Sequence, residues 1–466
     1  MAVTLQTAVL GTRLDRLPLS PFHRRLVLAL AGMILFEWVE TYAFAFVAPA
    51  LREQWDMPLS TVAVVAGVGQ LGAFAGGVLA GYLADRVGRR RTMLACVTLY
   101  CVATVGCVLV QNPWQLTAAH TATHLGAQGM AVVAIVVLTE FVPAAARGRL
   151  QTYKVAIGSL GIPIAAWAGY FLVPQWTWGW RLVFGLGLFG VVFAVLIHRW
   201  VPESPRWLAS RGRLAEADAI VRQVEVQCGF QPPADGLPAP AATTSDPAES
   251  PDRPRISELW TGAHRRNFLV VTTMWVTGLL AYSAYNTWTP TLLAETGLDL
   301  DDTLLLSAAL ATAAPLGALV AVPLIDRWDR RRTQLALGAL SAIALLLFSL
   351  VRSPAAVLVL GCLVTLLFQM AVPFLQVYSA EIFPTRIRAL GSGTANALSR
   401  IFNFAAPMLV AAVYTGSGYT AVFVLLAALS ATGGLIAVRF GPRTTGVSLE
   451  AAAADPVSTH KEPNTP

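Results

Sequence analysis

Residues 81–92 read GYLADRVGRRRT and residues 322–333 read VPLIDRWDRRRT, a worn copy of the first segment 241 positions later. Other positions keep the same register. Glu140 and Pro143 fall 241 before Glu381 and Pro384, Pro49 maps onto Pro290, and Gln128 maps onto Gln369. Solenoid and propeller repeats recur every ~20–50 residues, so one constant offset of this length means a duplicated domain. The chain is expected to fold as two related halves.

Composition says what surrounds those halves. Hydrophobic residues make up 56% of the chain and charged residues 13%, with a mean hydropathy of +0.61, which is too apolar for a surface wholly in water. Apolar runs of about 20 residues, each able to cross ~30 Å of hydrocarbon, lie near 26–51, 60–84, 92–110, 114–139, 153–173 and 182–200. The second set lies near 268–292, 303–325, 333–351, 355–379, 389–414 and 420–438. The expectation is an all-α membrane protein with twelve transmembrane helices in two pseudo-symmetric six-helix halves, 26–200 and 268–440. A partly disordered cytoplasmic linker, 201–267, joins them, and cytoplasmic tails occupy 1–25 and 441–466.

Lys and Arg are retained on the cytoplasmic side of short loops. Of 33 such residues, only Arg52, Arg181 and Arg352 fall in loops assigned to the outside, and only Arg400 falls deep within a span. Both termini are therefore predicted to be cytoplasmic. The net charge of +7 follows from this asymmetry and from anionic lipid headgroups, so it carries no nucleic-acid signal. Residues 1–24 lack the apolar core and cleavage site of a signal peptide and read as a cytosolic tail. Cys96, Cys101, Cys107 and Cys362 fall in spans and Cys228 in a cytoplasmic segment, with no disulfide or metal spacing. In the linker, Leu214 to Val226 carries apolar residues at helical spacing and is expected to be a surface helix, whereas Gln231 to Pro254 and the tail after Gly446 are too polar to order themselves. The excess of Arg over Lys and the abundant Ala point to a GC-rich bacterial gene.

GYLADRVGRRR after the second span resembles the signature of the major facilitator superfamily of transporters. EFVPAAARGR ending span four, PESPRWL after span six and AEIFPTRIRALGSG between spans ten and eleven resemble its sugar-porter-like and metabolite:proton symporter branch. PRTTGVSLE at 442–450 resembles a degraded form of that branch's PETKG-type segment. The residues themselves suit such loops. Gly81 and Gly88 permit tight turns and close helix approach, Asp85 can cap or pair at a helix end, and Arg86, Arg89, Arg90 and Arg91 hold the loop inside and offer bidentate partners. An arginine run alone signals only topology, which suffices for Arg90 and Arg91; a carboxylate beside four arginines makes a releasable lock. The resemblance implies that Asp85, Glu140, Arg147, Glu203, Glu381 and Arg388 form ion pairs closing a cytoplasmic gate, to which Arg206, Asp326, Arg327 and Arg386 also belong.

Span one reads LVLALAGMILFEWVETYAFAFVAPAL, with Glu37 and Glu40 near its middle, three residues apart on one helix face. An acid at a span centre costs roughly 2.5 to 3.5 kcal/mol on insertion scales, so two acids persist only where they face a wet cavity and perform a task. Burial and mutual repulsion both favour a proton on one of them, which suits a proton carrier. The spacing resembles the D-x-x-D pair of aromatic-acid:proton symporters, including the Ala-Pro that follows, here Ala48 and Pro49. Both Asp positions are Glu in this chain, so substrate identity does not carry over. The alternative is two acids satisfied by Arg400 and hydroxyls as structural glue.

His120, His124 and Gln128 repeat every four residues along one face of span four. Members of the resembled family carry Arg at the position of His120; here an obligate cation gives way to a group that titrates near neutrality. Packed, hydrogen-bonded histidines are the alternative. Arg400 in span eleven is flanked by Asn396 and Asn403 at helical spacing and needs a counter-charge: Glu37, Glu40, an anionic substrate or a permanent internal partner. Tyr282, Tyr285, Asn286 and Trp288 in span seven, with Gln369, Gln376 and Tyr378 in span ten, are candidates to line a cavity, although aromatics in spans are more often core. The repeat sharpens the selection, because Glu37 maps to Gly278, Glu40 to Ala281, His120 to Gly361, His124 to Thr365 and Arg400 to Ser159.

No Walker loop, metal-ligand motif or nucleophile elbow occurs, so neither enzyme activity nor a cofactor nor a metal is expected, and energy must come from a gradient. The reading is a multi-pass cell-membrane transporter, functional as a monomer, that carries a small anionic or zwitterionic metabolite with protons by alternating access. Span five lacks the adjacent Gly-Pro of proton-coupled drug antiporters, and span seven lacks the Gln-Gln and Gly-Ile-Asn run of sugar porters. The alternatives are a proton-driven exporter of a drug or biosynthetic product and a ligand sensor that moves nothing.

Overall fold

The structure of the protein is a computed structural model. It describes residues 10, 12–143, 146–230, 256–295, 299–325, 328–351, 353–383 and 387–442, without the side chains of 147, 148, 263, 380, 388 and 389. The expectations for 231–254 and for the tail after Gly446, and the gate residues Asp326, Arg327 and Arg386, lie outside the described residues, as do the side chains of Arg147 and Arg388.

A backbone inside hydrocarbon must satisfy its own polar groups, which an apolar run of this length does by becoming a helix. Among the described residues there is no strand, and eleven helices are long and apolar enough to cross a membrane. They are Pro21–Trp55, Leu59–Val87, Arg89–Leu109, Pro113–Phe141, Arg149–Leu172, Gly179–Trp200, His264–Ala294, Leu300–Leu324, Arg330–Leu350, Pro354–Ser379 and Leu390–Phe440. The last runs for 51 residues and leaves helical geometry at Gly418, where φ is 83°. It is two spans, the eleventh and twelfth, and the six-plus-six count is complete.

The ends of the spans show the repeat as well. Asn112 and Ser353, 241 apart, cap spans four and ten by accepting from the backbone N–H of Gln115 (2.9 Å) and Ala356 (3.4 Å), each followed by a proline in the first turn. Span nine starts the same way, with Asp329 accepting from Arg332 N at 2.8 Å. Its counterpart at the start of span three is Gly88, which has no side chain to cap with. Glu203 fills the gap from beyond span six: one carboxylate oxygen accepts from the backbone N–H of Arg89 at 2.8 Å and of Arg90 at 3.1 Å. An anion there also meets the positive end of the helix dipole.

The chain divides into two compact units. The first holds Met1–Phe44, Val68–Ala168 and Gln175–Pro251; the second holds Ala45–Gly67, Gly169–Pro174 and Asp252–Pro466. Within the second unit, Arg52 at the end of span one pairs with Glu295 after span seven, and the Tyr414 hydroxyl donates to the other Glu295 oxygen at 3.3 Å.

Within the first unit the linker forms helices Pro205–Ser210 and Leu214–Gln227, the second where apolar spacing had placed one. The Trp207 indole and the Arg211 guanidinium donate to the Asp85 carbonyl, each at 2.9 Å, clamping the end of span two. The described part of the N-terminal segment is packed onto these helices and is not a free tail. Leu10, Leu14 and Leu17 join one buried cluster with Leu208, Ala217, Val221 and Val224. Between the leucines, Arg13 donates to both oxygens of Glu225, at 2.8 and 2.6 Å, and to Asp218. Hydrogen bonding to Glu225 raises the Arg13 pKa above its ordinary value and keeps it charged, while Asp218 is held below the usual carboxylate range by Arg13 and Arg222 against the upward push of burial.

Candidate functional site

Glu40 lies in a crevice of the first unit, 1% exposed. A Cβ on Gly187, in the short 3-10 turn interrupting span six, would stand 2.6 Å from Glu40 Oε2, 2.8 Å from the Tyr100 hydroxyl and 3.3 Å from the Thr104 methyl. Only glycine leaves room there for the carboxyl group. The Tyr100 hydroxyl is committed to backbone, lying 3.0 Å from the Phe36 carbonyl and 2.9 Å from that of Gly187. Neither Glu40 oxygen has a hydrogen-bond partner among the described residues. Glu37, one turn below and buried, accepts from the Thr41 hydroxyl at 3.4 Å. The two acids share a helix face but not an environment.

The period-four face of span four closes on the same region. His120 and His124 are buried with ring centroids 4.3 Å apart, and His124 Nδ1 lies 3.0 Å from the His120 carbonyl. Phe44 of span one and Phe184 of span six pack on His120 at 5.5 and 6.2 Å. Cys107 meets Thr123 at 3.6 Å, which joins spans three and four beneath the Glu40 crevice. Gln128 is half-buried beside Gly77 of span two.

In the second unit, Arg400 and Asn396 are half-buried and Asn403 is buried, its amide donating to the Ser283 hydroxyl of span seven at 3.2 Å. The Tyr282 hydroxyl donates to Gln369 Oε1 at 2.9 Å, and the Asn286 amide to the Tyr282 carbonyl at 2.8 Å. These polar groups lie on spans seven, ten and eleven, in two separate hydrogen-bonded sets. Tyr285 is turned into packing, its hydroxyl on the Gly361 carbonyl at 3.0 Å and its ring against Phe348 and Phe368. Gln376 is exposed, and Tyr378 ties span ten to the Pro442 carbonyl at 3.1 Å, away from the polar set.

At the loop ends, Arg89 pairs with Asp85 at 2.9 Å and with Glu140 at 3.4 Å, and Arg330 pairs with Glu381 at 3.2 Å. The two halves therefore carry matching clasps between a span start and an acid 51 residues later. Three residues behave differently from expectation. The described partners of Glu203 are backbone amides, because Gly88 leaves a helix end uncapped. Arg206 lies 3.9 Å from Asp15 of the N-terminal segment. Gly81 is helical, and a Cβ there would meet nothing within 4 Å, so no close approach depends on it; Gly88, with φ of 112° and Glu203 against it, is where glycine is needed. Arg86 turns onto the Tyr82 ring at 4.3 Å.

The family described as "Sugar (and other) transporter" matches residues 31–455, nearly the whole chain. The chain belongs to that family. It is a membrane transporter with a major facilitator fold, not an enzyme. YyaJ of Bacillus subtilis, named for metabolite transport, is 32% identical over 443 residues, covering 94% of this chain and 96% of its own. The niacin transporter NiaP of Acinetobacter baylyi is 28% identical over 442 residues, covering 95% and 99%. The xylose transporter XylE from E. coli shares the fold, with a TM-score of 0.74 at 17% identity over 92% of this chain and 100% of that one.

One charged residue of this transporter escaped the sequence reading. Lys154 was assigned to the inner end of span five, with the other cytoplasmic cations, yet it is 3% exposed. Its signal was present but faint: in QTYKVAIGS the lysine stands at helical spacing from Gly158 and Gly161, the residues by which span five packs on span one.

Proposed function

We propose that this transporter moves a small carboxylate-bearing metabolite together with a proton, and that Glu40 is the group that bears the proton. The observation that carries this is the Glu40 crevice. An ionised carboxylate at such a place costs several kcal/mol unless it is paired, whereas the neutral acid carries no such charge penalty. A group that is comfortable neutral and costly charged couples its protonation to whatever admits water or a counter-charge to the crevice.

Substrate recognition falls to the second unit. The planar Arg400 guanidinium suits a carboxylate, and the Tyr282–Gln369 and Asn403–Ser283 pairs supply neutral hydrogen-bonding groups on neighbouring spans. NiaP is named for niacin, a heteroaromatic monocarboxylate, and its likeness to this chain makes nicotinate the first compound to test. The Arg89 and Arg330 clasps act as cytoplasmic locks that break when the inner side opens, with both chain termini on that side.

The test is uptake of labelled nicotinate into proteoliposomes under an imposed inward proton gradient. The wild type should accumulate the label. Glu40→Gln should lose accumulation yet keep exchange of label between equal concentrations, because exchange needs no net proton movement. Full gradient-driven accumulation by Glu40→Gln would refute the assignment, and efflux of label driven by the gradient would mean export.

A further inference from the structure

Spans one and five end, and span two begins, inside the second compact unit: Ala45–Gly67 and Gly169–Pro174 cluster with the spans of the second half. These segments share the far end of the helices, away from the N-terminus. An ion pair fastens that end. The Arg52 guanidinium donates to Glu295 Oε1 just after span seven, and its Nε donates to the Met57 carbonyl at 3.3 Å. Asp56 turns the chain at a φ of 47°, which brings Met57 back to Arg52. The Tyr414 hydroxyl of span eleven donates to the second Glu295 oxygen at 3.3 Å. Backbone packing backs the pair, since a Cβ on Gly67 of span two would stand 2.8 Å from the Phe404 carbonyl of span eleven.

The connectivity sets this pair apart from the two clasps. Arg89–Glu140 lies within the first half of the sequence and Arg330–Glu381 within the second, whereas Arg52–Glu295 joins one half to the other. Arg181, also at the far end, stays within its own half, on the Val108 carbonyl and over the Trp180 ring at 4.3 Å. The repeat holds no second copy of the pair, because the offset of 241 sets Leu293 against Arg52 and Gln54 against Glu295. We propose that Arg52, Glu295 and Tyr414 form a latch that holds the two halves together at the far end and has to open in each cycle to admit or release cargo there. This goes beyond the symport reading and holds whatever the cargo or coupling ion. Rocking of one half against the other opens one end as it closes the other, so a fastening between halves at the far end favours opening at the near end. Arg52 is 24% exposed and Glu295 29%, so water screens the pair and keeps it weak. A gate needs this, since a strong fastening would trap the carrier in one state.

Hydrogen exchange followed by mass spectrometry on the full-length protein in nanodiscs, with no substrate added, tests the latch. In Arg52→Ala and in Glu295→Gln, peptides covering 45–67 and 288–295 should exchange two- to five-fold faster, which is ~0.4–1 kcal/mol at 1.4 kcal/mol per tenfold. Peptides covering 81–92 and 135–143, at the near end, should exchange more slowly. Arg52→Glu combined with Glu295→Arg should return both ends to the wild-type rates. Faster exchange at the far end with the near end unchanged would mean a local staple and overturn the proposal. Unchanged exchange at both ends, or a reversed pair that restores neither, would overturn it as well. Failure of the symport reading is separate, because loss of proton coupling in uptake leaves these exchange rates as they are.

Discussion

Replacing Arg13 by Ala should release the N-terminal segment from the linker helices while leaving the spans intact. Burying a leucine contributes ~1.5–3 kcal/mol, but ordering each residue of the segment costs ~1–2 kcal/mol, so Leu10, Leu14 and Leu17 do not hold it down unaided. The guanidinium decides the outcome. Arg13 is 14% exposed and its bidentate partner Glu225 is 4% exposed, close to the buried limit in which removing one partner costs ~3–5 kcal/mol. Partial exposure of Arg13, and of Asp218 at 31%, lowers the expectation to about 2–3 kcal/mol. At 1.4 kcal/mol per tenfold, this is a roughly 30- to 150-fold larger open population. Hydrogen exchange followed by mass spectrometry on the full-length protein in detergent would read it as a matching loss of protection in peptides covering residues 12–20. Peptides from Leu214–Gln227 should change less, because that helix keeps its own ladder. Arg13→Lys should fall between the two, since one ammonium cannot serve both carboxylate oxygens in the plane. Unchanged protection in Arg13→Ala would refute the reasoning and show that the leucines alone hold the segment.

Three further outcomes follow from the same contacts. Gly88→Ala should lower the unfolding temperature through ~1–3 kcal/mol of backbone strain at φ 112°, because its Cβ would also stand 2.5 Å from Glu203 Oε2; Gly81→Ala, with open space around it, should stay near the wild type and serves as the control. Gly187→Ala should displace the Glu40 carboxyl at an overpacking cost of ~1–3 kcal/mol, seen as reduced gradient-driven nicotinate uptake and a shifted Glu40 C=O band, and unchanged values of both would argue against the crevice as the proton site. Acid should free the N-terminal segment: the folded Asp218 has a lowered pKa, so its contribution is full above the ordinary carboxylate value of about 4 and is lost as pH falls through the lower folded value. Exchange protection of residues 12–20 that holds from pH 7 to 5 and falls only at stronger acid would agree with this, whereas loss near neutrality would not.

Much of this transporter could be read along one dimension. Spans one to twelve follow from runs of apolar residues, the join at Gly418 falling between the runs 389–414 and 420–438, since in hydrocarbon each helix satisfies its own backbone and length alone decides what spans. The offset of 241 predicted two halves, and the caps Asn112 and Ser353 stand at matching positions in them. The pairing of His120 with His124 was legible for the same reason: residues four apart on a helix meet whatever the rest of the chain does. Glu37 and Glu40 stood out because charge is so rare in a span.

The partners of these groups were not legible, because they come from elements far away in sequence. Gly88 and Glu203 meet across 115 positions, with Glu203 supplying the cap that Asp329 supplies locally in the other half. Arg13 finds Glu225 across 212, which turned an expected tail into a docked segment. Lys154 reads as one more cytoplasmic cation until spans one and five are packed together. By itself, then, the sequence determined the spans, their twofold repeat and the two acids in the membrane, since these depend on local apolarity and periodicity. Only the tertiary structure decided which acid is sealed against Gly187. Burial and counter-charge are properties of the space around a side chain, and that space is built by helices whose contact no local pattern encodes.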